Sequence, residues 1–120
     1  MEEIVALVKE KIIELIGNEF YLKYQAQIIF AIAVDEIECW FLPIYFSNDQ
    51  KKSNKTSGCI KTLNTVLKQK EGFILHEKRF EYYEKIAKHF LKSKDLEKYA
   101  AKNESLSNFI IEFRRKTATE

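Results

Sequence analysis

A helix-dominated α+β fold, with about five helices around one short buried strand, is what this sequence predicts, and three observations predict it. Only three Gly and one Pro occur among 120 residues, whereas all-β sandwiches and barrels need many tight turns rich in both. Apolar residues recur at helical spacing along most of the chain. One stretch, Ile28 to Val34, departs from that spacing: it is apolar on every side and rich in β-branched residues, like a strand with helices packed above and below it. A fully buried helix is the alternative, because periodicity does not separate the two over so short a run. The length fits a single domain, residues 1–120, and nine Phe, six Tyr and one Trp are enough to build its core.

Taken in order, residues 2–16 form an amphipathic helix through Ile4, Val5, Val8, Ile12, Leu15 and Ile16, and Gly17-Asn18 stops it. A short connection leads into the strand. Asp35 follows as an N-cap, with Glu38 as the reciprocal residue of a capping box and Ile37, Trp40, Phe41 and Ile44 at helical spacing. Pro43 kinks or ends this helix near Leu42. Ser47 to Gly58 is polar and basic and reads as a loop. A helix from Cys59 to Gln69 buries Ile60, Leu63 and Leu67, and Gly72 closes it. Phe73-Ile74-Leu75 is a short apolar connector. A further helix, about Glu77 to Lys92, turns Phe80, Tyr83, Ala87, Phe90 and Leu91 to one face. A short helix fits Asp95 to Ala101, and the last, about Leu106 to Arg115, buries Leu106, Phe109, Ile110 and Phe113.

The longest apolar run is far shorter than a membrane span, and Met1-Glu2-Glu3 is acidic where a signal peptide would be basic, so a cytoplasmic protein without a membrane partner is expected. In a reducing compartment Cys39 and Cys59 are expected as free, buried or half-buried thiols. His76 and His89 form no zinc spacing with them and have no partner at catalytic spacing, and no cofactor motif is present. Lys greatly outnumbers Arg, which occurs only as Arg79, Arg114 and Arg115, and Ile is abundant. That bias fits AT-rich coding of the kind seen in bacteria and their mobile elements. Charge is unevenly spread: residues 1–48 hold eight acids against three bases, residues 51–102 fourteen bases against six acids.

The run Ile32-Ala33-Val34-Asp35-Glu36-Ile37-Glu38-Cys39-Trp40-Phe41-Leu42 resembles a stretch in a group of bacterial Toprim-like proteins of uncharacterised function, found near mobile elements and defence genes. There a buried strand runs into a helix that opens Glu-Ile-Glu-Ala-Trp-Leu-Leu. Asn103-Glu104-Ser105-Leu106-Ser107-Asn108-Phe109 is similar to their Asn-Pro-Ser-Leu-x-x-Phe. Toprim chemistry gathers magnesium with an acidic residue after an early strand and an Asp-x-Asp pair after a later one, and nothing before Asp35 supplies either. The resemblance therefore implies the second half of a truncated α/β fold.

Three candidate sites follow. Asp35, Glu36 and Glu38 are weak candidates for a divalent cation, since hard cations take several carboxylate oxygens, but capping and the helix dipole favour the same residues without an ion. Trp40 with Glu38 offers an anchor for a partner, although its spacing suits the core. Lys51, Lys52 and Lys55 begin a Lys-rich stretch whose interleaved Phe80, Tyr82, Tyr83, Phe90 and Tyr99 suit single-stranded nucleic acid through phosphate contact and base stacking. The expected function is a non-enzymatic interaction protein, a small accessory or inhibitor of mobile-element or defence origin, binding another protein. A nucleic-acid-binding module and a split or degenerate Toprim-like nuclease component are the alternatives. A lone buried strand would also need a ladder partner, either residues 73–75 or a second chain, which makes a homodimer an expectation.

Overall fold

In the computed structural model, residues 2–33, 36–77 and 79–118 are described. The chain is 73% helical, and no strand or sheet occurs among the described residues, so the expected α+β fold is corrected to an all-helical one. Its shape is elongated, 50 × 27 × 27 Å.

Helix α1 (Glu2–Ile16) turns Val5, Ile12 and Ile13 partly inward. Gly17, at φ 95°, ends it in a backbone conformation that a side chain would strain. Helix α2 (Asn18–Tyr24) starts at once, where the sequence suggested only a connection. A 3-10 turn at Gln25–Gln27 then leads into residues 28–33, which are neither helix nor strand. Val34 and Asp35, the end of the expected strand and the expected cap, lie outside the described residues.

Residues 28–33 run along the last helix, α8 (Glu104–Thr117). The Lys116 ammonium donates to the Ile28 carbonyl and the Ser105 hydroxyl to the Ile32 carbonyl. Eleven residues of helix rise about 16 Å, and four residues of extended chain reach about 14 Å, so the segment is nearly extended and antiparallel to α8. No ladder forms on it among the described residues, and the expected partner segment, residues 73–75, is not a strand either. The Leu75 N–H donates to Asn64 Oδ1 at 2.7 Å and Asn64 Nδ2 donates to the Leu75 carbonyl at 2.8 Å, so a side-chain amide takes the place of a strand.

A 3-10 turn at Ile37–Phe41 passes into helix α3 (Leu42–Tyr45), whose first turn holds Pro43, where a missing N–H costs nothing. Within the basic loop lies a single helical turn, α4 (Gln50–Ser53), whose Lys52 N–H donates to the Asp49 carboxylate at 3.0 Å. Helix α5 (Cys59–Glu71) ends at Gly72, φ 86°, whose N–H returns to the carbonyls of Leu67 and Lys68. Helix α6 (Phe80–Ala87), a 3-10 turn at Lys88–Phe90, and α7 (Ser93–Ala100) lead to α8.

The main core joins Leu42, Leu63, Leu67, Leu75 and Ile86. A second cluster holds Trp40, Ala100 and Leu106. Phe80 and Leu91, expected inside, are 76% and 80% exposed, while Ile86 is fully buried. The expected face assumed one uninterrupted α-helix from about Glu77 to Lys92; α6 begins only at Phe80, which stands at its open first turn, and the 3-10 turn after Ala87 changes the angular phase at which Leu91 emerges. Phe113 is also exposed.

Candidate functional site

The two segments that carry the resemblance meet each other. The Trp40 indole donates to the Ser105 hydroxyl and stacks on Phe109, with ring centroids 5.4 Å apart. Asn103 caps α8 by accepting from the Leu106 N–H at 3.0 Å, and its amide donates to the carbonyls of Ser53 at 2.9 Å and Cys39 at 3.3 Å. Trp40, Asn103 and Ser105 are all buried. These residues weld the 37–41 turn to the start of α8, and Trp40 belongs to the core.

Glu38 is buried as well, and its expected capping partner, Asp35, lies outside the described residues. The turn from 37 to 41 is a 3-10 helix that directs Glu38 inward, where it accepts the Tyr83 hydroxyl at 2.6 Å. Burial, followed by that hydrogen bond, holds the Tyr83 phenol well above its ordinary pKa. Glu36 turns elsewhere and accepts the Cys59 N–H at 3.0 Å. The two carboxylates therefore serve different partners.

The expectation of free thiols is overturned. Cys39 and Cys59 form a disulfide, because the 37–41 turn packs against the start of α5 and brings their Cα atoms within 5.1 Å. Glu36 lies beside it: its carboxylate oxygen and the two sulfurs are all within 4.8 Å of one another. Of the described residues, these are the ones whose donor atoms gather closely enough to hold a metal ion.

Lys51 is exposed on α4; Lys52 lies over the Phe46 ring at 5.1 Å; Lys55 donates to the Thr62 hydroxyl at 2.8 Å. The aromatics of the basic stretch mostly face inward. Tyr82 stacks on Phe73, Tyr83 meets Glu38, and Phe90 packs on Phe41. Phe80 alone among the five named aromatics is largely exposed.

Spacing along the chain concealed a partner for His89, whose Nε2 lies 2.7 Å from Glu71 Oε1, the same oxygen that accepts the Tyr45 hydroxyl at 2.9 Å. The three border a cleft of about 230 Å³. Burial first, then the Glu71 contact, raises the Tyr45 phenol far above its ordinary pKa. A nucleophile would have to sit within hydrogen-bond reach of the imidazole for acyl-transfer chemistry, and none of the described residues lining the cleft supplies one.

A larger concave surface lies between α1, α2 and α8, with Phe30 and Ile32 in its lining. Two adjoining clefts, about 330 and 540 Å³, share Lys9, Phe30, Glu112 and Arg115. Phe30 is buried under Lys9 (5.6 Å to the ring centroid) and Tyr21. Around it the charge is mostly positive: Lys9, Lys23, Arg115 and Lys116 face a single acid, Glu112, which lies 3.8 Å from Lys9 and 3.6 Å from Lys116. Lys23 and Arg115 make no ion pair among the described residues. From Ile29 to Ala33, no backbone N–H donates to any described residue. On α1 and α2, Ile4, Leu7, Leu15, Phe20 and Leu22 leave half or more of their surface exposed, and Leu22 lines the larger cleft. Sequence reasoning singled out 28–34 but not the basic rim, whose residues come from helices about ninety positions apart.

Comparison with protein-family models, with curated proteins and with solved structures yields no match. No described helix is long and apolar enough to cross a membrane.

Proposed function

We propose that this protein is a non-enzymatic docking module that binds another protein, taking up an extended segment of it along residues 28–33. The observation that carries this reading is the row of five consecutive N–H groups, Ile29 to Ala33, that donate to none of the described residues. A nearly extended segment with unused main-chain groups is what strand addition exploits, with backbone hydrogen bonds supplying affinity and flanking pockets supplying specificity. The basic rim favours a partner segment with acidic residues beside apolar ones, and the exposed apolar residues of α1 and α2 extend the contact area. Such an accessory or inhibitory role requires no chemistry of its own.

Ala31 is exposed and central to the row, so a photo-cross-linking residue placed there in the native host reports what lies against it. The expected result is one cross-linked protein, identified by mass spectrometry, that binds the purified chain in vitro. Ala31→Pro, which removes the central N–H, should weaken that binding at least tenfold while leaving the helical circular dichroism unchanged. Undiminished binding by Ala31→Pro sinks the main-chain docking. Cross-links only to copies of this chain, with a dimer in sedimentation equilibrium, would make the partner a second copy. Micromolar binding of single-stranded oligonucleotide at physiological salt would replace the reading with nucleic-acid recognition.

A further inference from the structure

The disulfide and its neighbouring carboxylate make a chemical cluster that docking does not use. We propose that Cys39, Cys59 and Glu36 form a binding site for a borderline-soft divalent cation, zinc being the probe, which opens when the Cys39–Cys59 disulfide is reduced.

The donor set comes first. Cysteine thiolates and carboxylates are both zinc ligand types, and tetrahedral donors of these types stand roughly 3.5–4 Å apart around the ion. Here the three donor atoms already lie within 4.8 Å of one another, and the Cα atoms of the cysteines are 5.1 Å apart. Breaking the S–S bond frees both cysteine side chains to rotate, which moves the sulfurs apart toward the metal spacing.

Cys59 is the first residue of α5, a helix of thirteen residues, and the positive end of the helix dipole favours a thiolate there. Both sulfurs are buried, at 2% and 0% exposure. Two buried thiolates side by side are costly without a cation between them, and a divalent ion removes that cost. Glu36, half-buried at the edge, would exchange the Cys59 N–H for the ion, and water would complete the tetrahedron.

The redox step balances with a dithiol or a phosphine as reductant. Two electrons and two protons pass to the sulfurs as the S–S bond breaks, and a phosphine leaves as its oxide with oxygen from water. Zinc then displaces the two thiol protons.

The test uses the full chain, reduced with a phosphine, desalted without oxygen and titrated with cobalt(II) and then zinc. We expect a thiolate-to-cobalt charge-transfer band that saturates at one equivalent, is displaced by zinc, and is absent from the oxidised protein. Cys39→Ser should lose the band. Glu36→Gln should keep the band, retain the disulfide when oxidised, and bind zinc at least tenfold more weakly. Circular dichroism of the reduced chain guards against binding by an unfolded pair of thiols: if helix is lost on reduction, one equivalent of zinc must restore it. The absence of a one-to-one band, wild-type zinc affinity in Glu36→Gln, or a failure of zinc to restore lost helix would each overturn the site.

Discussion

Helices α1 and α5 are of similar length, and each carries an apolar stripe at helical spacing. Leu63 and Leu67 of α5 are fully buried. Ile4 and Leu15 of the α1 stripe are 50% and 74% exposed. The α5 stripe is covered from several directions, by the 37–45 segment, Phe73, Leu75 and Ile86. Of α1, Val5 and Lys9 face Phe30 and α8 across a cleft. Amphipathic spacing therefore states that a helix has something to cover, and the rest of the chain decides whether it is covered. In this protein the covered part is a scaffold, while Val5 and Lys9 are the α1 residues that line the clefts around residues 28–33.

The sharpest way to break this contrast is to truncate one leucine in each stripe. Leu63→Ala should destabilise the chain by about 2–5 kcal/mol, through lost burial and a residual cavity. Leu15→Ala should change stability by no more than about 0.5 kcal/mol. Urea denaturation of both variants reads the difference, and equal losses would mean that the α1 stripe is covered in solution.

A smaller effect is expected at the junction of the scaffold with α8. Asn103→Ala removes a helix cap worth about 1 kcal/mol and leaves the buried carbonyls of Cys39 and Ser53 without their amide donor, for a total of about 2–3 kcal/mol. Asn103→Asp keeps the cap acceptor but not the donor, so its thermal midpoint should fall between those of wild type and Asn103→Ala. A midpoint equal to wild type would show that the carbonyl contacts contribute nothing.

The smallest effect concerns Tyr83. Tyr83→Phe takes from Glu38 one hydrogen bond to a buried carboxylate, at a cost of about 1.5–2 kcal/mol near neutral pH. Tyr83 and Tyr45 both have folded-state pKa values raised above the 10.0 of an unperturbed tyrosine. The folded state therefore holds these protons more tightly than the unfolded chain. The stability they contribute is fully present below pH 10 and is lost as pH rises through 10 toward the folded values. Denaturation midpoints measured from pH 8 upward should fall steeply in wild type and less steeply in Tyr83→Phe. Parallel profiles would show that Tyr83 does not couple folding to alkaline titration.

Short-range features of this protein were legible in its sequence. The first helix ends at Gly17 as expected, Gly72 closes α5, and α7 and α8 lie close to the residues their spacing indicated. Each depends on neighbours three or four positions apart, or on a backbone angle that glycine adopts readily. Trp40 in the core was legible for the same reason. The tertiary structure alone decided the state of residues 28–33, because a run of β-branched residues becomes a strand only where a second strand is free to pair, and residues 73–75 are not a strand. It also decided the fates of Cys39, Glu38 and His89, whose partners lie 20, 45 and 18 residues away. No local spacing encodes such pairings, since packing of the covered helices brings these side chains within bonding distance.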